Sequence, residues 1–484
     1  MKKETFKTIL LICLFALCTA LTQQLWINLP LTEVALMSEA AKNNLAAENI
    51  KNNMMHVINP QSFTINFGDF DSTVLFSDTY QIWQDIRAIL PEYFSEKTEV
   101  EEISRQDWET AYQKKSVKLD FGYKIPAHVL RDVVQGGDSG IYKKVTDIDS
   151  ILVPAGEDYT LYLANAAEDK YYKAGCKGGS NGNQIIAQKI SEIKTENQYE
   201  SYKSIKEFWG VENPVLMPIP SDQSYASNSK LISKLVVEPE INENRADYFA
   251  GTFFGTNFDF IRKITETNGT IIYMYGYGQR TLKIYPSGLL EYLEEENNTK
   301  SGSTMVPWDA VKIGIDFIKK HGDFPKSEDG MYLRAIQPIE KKNGYILLFG
   351  YRMNKLPVYV DHDLLRSPIE LEVMNHQVTS YKRYIKEIKK ENIENVDILP
   401  PYHILLNIEK NKNMIAKKFA AEAKEGTKQG ETVIRDVTNQ IFSSIRSIEM
   451  GYFDKDDKMI PVWVITIGKD VYYFDIYTGL NYTD

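Results

Sequence analysis

Residues 268–293 read NGTIIYMYGYGQRTLKIYPSGLLEYL. Apolar and polar residues alternate over 270–275, 280–285 and 289–293, the period of a half-buried strand. Asn268-Gly269 and Ser287-Gly288 are turn signals on either side. Gly276-Tyr277-Gly278 lies between two of the runs with no helix after it, so it reads as a hairpin turn rather than a phosphate loop. Three short strands in succession predict an antiparallel meander. Such a sheet has one face to bury, and the sequence supplies its cover next. After polar residues 297–303, Pro307 opens a helix with Ala310, Ile313, Gly314, Phe317 and His321 on one face, and Gly322 closes it. Strands follow at 332–339 and 345–351, joined by Lys341-Lys342-Asn343-Gly344. More are expected at 356–360, 369–373 and 378–381.

The end of the chain repeats that order. Residues 433–445 form an amphipathic pattern with Ile434, Val437, Ile441 and Ile445 aligned. A strand is expected at 447–453, a turn at 454–458, and strands at 460–467 and 471–477. Two units of helix plus meander make the fold class α+β. Upstream the signal is weaker. Residues 221–244, with Ser, Asn, Pro and Glu, read as a linker. Residues 60–220 mix helix (80–90) with strand (117–121 and 151–154). The domains expected are an anchor at 1–29, an N-terminal ectodomain at 30–240, a central helix-plus-meander domain at 241–390 and a C-terminal unit at 391–484.

One apolar segment stands at the start. Lys2, Lys3 and Lys7 precede residues 8–27, which are broken only by Thr19, Thr22, Gln23 and Gln24. A helix of about 20 residues at about 1.5 Å each just crosses a hydrocarbon core of about 30 Å. The lysines before it and Glu33 after it keep the amino terminus in the cytoplasm and place the bulk of the chain outside. A cleaved signal peptide is the rival, but Cys18-Thr19-Ala20 directly after the apolar run is a poor cleavage site. Trp26 suits an interfacial anchor and Pro30 a helix end. Leu17 before Cys18 and Ile12 before Cys13 do not fit a lipoprotein signal. Residues 33 to about 56, and 33–47 especially, read as a helical stalk.

Net charge is −10, which argues against nucleic acid and anionic lipid as partners. Cys13 and Cys18 lie in the anchor and Cys176 is alone beyond it, so no intrachain disulfide is expected there. Thirty tyrosines and 21 phenylalanines suit many half-buried strands.

Motif by motif, the chemistry is thin. Gly137-Asp138-Ser139-Gly140 resembles a serine-protease nucleophile, yet His56 and His128, the upstream histidines, have no fitting context, so it reads as a surface turn. The run 175–182 (GCKGGSNG) lacks a terminal Gly-Lys-Ser/Thr and reads as a mobile loop. Asp361-His362-Asp363 would point to alternate sheet faces and not converge on one metal. Asp454-Lys455-Asp456-Asp457 lacks the Gly and the twelfth-position Glu of a calcium loop. Residues 291–296 read as a solvated acidic face. No catalytic, cofactor-binding or metal-ligating residue is singled out. The anchor is more specific: Cys13, Ala16, Ala20 and Gln23 or Gln24 share one helix face, where small residues admit a partner helix and an amide bonds across.

Several stretches carry a resemblance. Residues 253–262, Asn268-Gly269-Thr270 and 280–292 are the sharpest, with Lys118-Leu119-Asp120-Phe121 and Ile125-Pro126 a second patch. With the single anchor, they resemble the YycH family, regulators of the YycG–YycF (WalK–WalR) two-component system in Gram-positive bacteria. The closing residues 473–479 look like the last strands of PepSY-type domains, to which YycI also bears likeness. The resemblance implies a non-enzymatic regulator in cell-wall homeostasis, pairing with a YycI-like protein and restraining a YycG-like sensor kinase through transmembrane contacts. It implies no cofactor. Two rival functions stay open: a PepSY-like inhibitor or chaperone of secreted proteases, and an extracytoplasmic cell-wall enzyme.

Overall fold

The computed structural model describes residues 54, 57–137, 140–156, 159–176, 182–196, 199–219, 233–239, 242–255, 260–296, 304–321, 331–360, 365–393, 398–407, 439–455 and 458–483. These belong to one compact unit beginning at Met54. The apolar segment 8–27, the stalk apart from Met54, and the anchor face lie outside the described residues. Among the described residues no helix is long and apolar enough to cross a membrane.

The first sheet has nine strands: β1 (Ser62–Gly68), β2 (Asp71–Leu75), β3 (Thr98–Ile103), β4 (Ser116–Pro126), β5 (Asp147–Pro154), β6 (Thr160–Asn165), β7 (Lys170–Cys176), β8 (Tyr202–Ser204) and β9 (Leu216–Pro218). Their order is β3-β7-β6-β5-β4-β1-β2-β8-β9, with antiparallel neighbours throughout. Alternation along β4 sorts its two faces. Val117, Leu119 and Phe121 are fully buried, whereas Lys118 and Asp120 point the other way. The buried face meets the helices Ala127–Val134 and Gly182–Glu196, and Ile82–Tyr93 packs on both.

The second sheet has fourteen: β10 (Ser233–Pro239), β11 (Arg262–Thr265), β12 (Ile271–Tyr275), β13 (Arg280–Ile284), β14 (Leu289–Glu294), β15 (Met331–Pro338), β16 (Gly344–Met353), β17 (Leu356–Val360), β18 (Ile369–Met374), β19 (Gln377–Tyr384), β20 (Lys386–Ile393), β21 (Ile445–Lys455), β22 (Lys458–Ile467) and β23 (Asp470–Asp475). It runs β11-β12-β13-β14-β19-β18-β16-β17-β21-β22-β10-β20, with β15 on β16 and β23 on β22. The seam is β17–β21, the one parallel pair among the described strands.

The meander stands where the alternation placed it, and so does the α+β class of antiparallel sheets. The Pro307–Lys320 helix lies over β16, β18 and β19. Its buried stripe is Trp308, Ala310, Val311, Gly314, Ile315 and Ile318, while Ile313 and Phe317 are half-buried, so the face is rotated from the expected one. Gly314 lets the helix sit close: a Cβ there would lie 2.7 Å from Leu347 Cδ1.

Two expectations are corrected. The linker at 221–244 contains β10, which pairs with β20 and β22, and its last residues cap and begin the helix Glu243–Phe254. In the helix expected at 433–445, residues 439–444 are helical, but Ile445 already starts β21 and pairs with Ile467.

Candidate functional site

The second face of the nine-stranded sheet is only partly covered. The helix Arg105–Tyr112 lies over β5 and β7, with Trp108 and Ala111 packed on Leu152, Ala164 and Tyr171. A capping box fixes its start: the Asp107 main-chain N–H donates to Ser104 Oγ and the Ser104 N–H to Asp107 Oδ2. Beside it, Ser62, Thr64, Lys118 and Asp120 floor a cleft of about 460 Å³, whose far wall is Pro214, Val215, Leu216 and residues 446–449 of β21. A second depression of about 610 Å³ continues past Arg105, Glu109 and Tyr112 toward Lys206 and Glu212.

Several charges in this cleft come already paired. Lys118 Nζ lies 3.0 Å from Asp120 Oδ2. Burial alone would push the Lys118 ammonium down, but the Asp120 carboxylate and Tyr112 hold it above its ordinary value. Burial pushes the Tyr112 hydroxyl up against the pull of Lys118. Arg105 and Glu109 meet at 3.0 Å, Lys206 and Glu212 at 2.6 Å, and Tyr359 donates its hydroxyl to Glu449. Each of these carboxylates is held by a partner.

The two sheets are tied together beside it. Arg352, 4% exposed, donates to the Phe76 carbonyl at 2.6 Å, to Pro60 at 3.0 Å and to Gln61 at 3.3 Å, and lies 4.1 Å from the Tyr332 ring centroid. Gln61 Nε2 returns a bond to the Arg334 carbonyl. The Asn213 amide donates to the carbonyls of Phe442 and Ile445. Ile205 and Met217 from the first sheet's end share one core with Ile448, Trp463 and Phe474.

The anchor face Cys13, Ala16, Ala20, Gln23 and Gln24 lies outside the described residues, as do Ser139, the whole of 361–363 and most of 175–182. Gly137 accepts a bond from Tyr142 Oη, and Gly182 opens a helix. Cys176 is buried and free. The acidic face at 291–296 is corrected at Glu291, while Glu295 is exposed as expected. Glu291 is only 12% exposed, sits 3.8 Å from both Lys283 and Lys382, and accepts from Tyr285 Oη. Its place on β14, opposite both lysines, makes a cross-strand row of charges. Arg105, Trp108, Arg446 and Glu449 carried no motif. Only Lys118 and Asp120, two apart on a strand, hinted at one shared face.

Residues 4–177 match the family described as YycH protein, N-terminal domain. The chain carries a YycH N-terminal domain over these residues. The match begins before the apolar segment and takes in all of β1–β7, including Lys118 and Asp120; the meander at 268–293 lies beyond it. No curated protein and no solved structure matches the chain. YycH proteins are regulatory and non-enzymatic, and are tied to the YycG/WalK two-component system.

Proposed function

We propose that this chain is a YycH-family single-pass membrane protein, amino terminus in the cytoplasm, whose extracytoplasmic bulk regulates a YycG/WalK-like sensor kinase together with a YycI-like partner. The carrying observation is the family match over 4–177, which includes the apolar segment and runs on into the folded unit. Regulation acts through protein contacts and through the anchor face of Cys13, Ala16, Ala20 and Gln23 or Gln24. The order of helix and antiparallel strands supports reading 241–390 and 391–484 as two related PepSY-like, YycI-like units.

The test combines co-purification of the kinase and the YycI-like partner with kinase output. Ala16→Leu or Ala20→Leu should separate the packed helices, because close contact is the main attraction between helices in lipid. A loss of about 1–2 kcal/mol lowers partner occupancy about five- to thirty-fold. Leu14→Ile on another face should change little. Equal behaviour of both faces rejects the anchor as a contact surface. A mature chain starting near residue 21 rejects the retained anchor.

A further inference from the structure

Among the described strands, β11 ends the fourteen-stranded sheet with one edge unpaired. Arg262, Lys263, Thr265 and Glu266 are exposed, Ile264 is half-buried, and Phe260 just before the strand is 78% exposed. Natural edges are often guarded by a free lysine. Here Lys263 Nζ is neutralised, 2.8 Å from both Glu243 Oε1 and Asp247 Oδ1.

The register of β11 shows which main-chain groups are available. The Glu266 N–H donates to the Thr270 carbonyl at 2.9 Å, and Ile264 and Arg262 stand opposite Ile272 and Met274. Hydrogen-bonded pairs alternate along an antiparallel ladder. Arg262, Ile264 and Glu266 therefore turn their main-chain groups toward β12, and Lys263 and Thr265 turn theirs outward. The sequence around this edge, Arg-Lys-Ile-Thr-Glu, is complementary to itself when reversed about Ile264. In that register the outward groups of Lys263 meet those of Thr265, Arg262 faces Glu266, and Ile264 faces its own counterpart. Phe260 then reaches the turn at 268–270. Arg262 has no salt bridge among the described residues, so its charge is available to a partner.

We propose that β11 pairs antiparallel with β11 of a second copy of this chain, joining the two large sheets across a two-fold axis centred on Ile264. The contact is isologous and closes as a dimer. It is independent of the regulatory reading, since it concerns only how copies of this chain meet.

Disulfide trapping in the full-length chain, in membranes, tests the register. Cys13 and Cys18 are replaced by Ser, the buried Cys176 is kept, and that parent sets the background. Facing residues in a non-hydrogen-bonded pair have Cα atoms about 4.5 Å apart, within disulfide reach. Ile264→Cys should give a dimer on mild oxidation. Arg262→Cys alone should not, whereas a mixture of Arg262→Cys and Glu266→Cys chains should. Arg262→Glu should lower the Ile264→Cys yield at least several-fold, and adding Glu266→Arg should restore it. Melting temperatures near the parent's show that the variants are folded. A folded Ile264→Cys chain that gives only background dimer overturns the proposal. So does equal trapping at positions 262 and 264, or a charge reversal without effect.

Discussion

His321 ends the Pro307–Lys320 helix and is 5% exposed between two rings, 4.3 Å from Phe253 and 4.2 Å from Phe317. Burial, with Lys320 beside it, pushes the imidazole down to about 4, despite a hydrogen bond with the Thr252 main chain. The unfolded chain takes up this proton near 6.5, so between the two values the unfolded state holds more protons and stability rises with pH. This contribution is complete above about pH 6.5 and is lost as pH falls toward 4, by about 3 kcal/mol in total. Melting temperatures measured from pH 7 to 4 should therefore fall more steeply for the natural chain than for His321→Phe. Parallel curves would show that His321 does not set this acid sensitivity. Arg352 is a second buried charge, and its guanidinium rests on three carbonyls and a ring. Arg352→Met leaves those carbonyls without their donor and should cost about 3–5 kcal/mol. A melting temperature within a degree or so of the parent would contradict that.

At the scale of elements, the β17–β21 seam depends on one small residue. A Cβ at Gly451 would lie 2.5 Å from Tyr359 Cε2 and 2.7 Å from the Pro357 carbonyl. The carbonyl is main chain and cannot swing aside, so Gly451→Ala should cost about 1–3 kcal/mol through overpacking. Gly175→Ala on β7 is the control, since nothing lies within 4 Å of its Cβ position. Comparable melting of the two variants would remove Gly451 from this role. Elements also show what could be read beforehand. The alternation of residues 270–293 gave β12, β13 and β14 because one face is covered and the other is open. β10 hid in a stretch of linker-like composition because its partners, β20 and β22, lie far along the chain, and local pattern carries no record of them. Strand β3, Thr-Glu-Val-Glu-Glu-Ile, is an edge strand and too polar to stand out. The cleft was illegible for the same reason as β10: Trp108 and Arg446 share it only after the two sheets have met.

Across the whole molecule, the two sheets share one core. Ile205 and Met217 pack with residues that follow Ile398, and Asn213 bonds to carbonyls on either side of residue 444. Removing residues 391–484 should therefore uncover the first sheet's end as well as shorten the second. Proteolysis of such a truncated chain should cut around β8 and β9, which the full chain protects. Protection equal to that of the full chain would mean that the first sheet closes on its own.

The pairing of β22 has a consequence for synthesis. Strands β10, β21 and β23 all rest on it, and β10 is made more than two hundred residues earlier. Until Ile467 has left the ribosome, β10 lacks one neighbour and β21 lacks its longest. The growing chain must therefore carry an unsatisfied sheet edge from β10 until β22 is made, the condition in which nascent proteins need a holdase. Maturation of this chain should begin only once β22 is complete, when a late strand supplies what an early one has been waiting for.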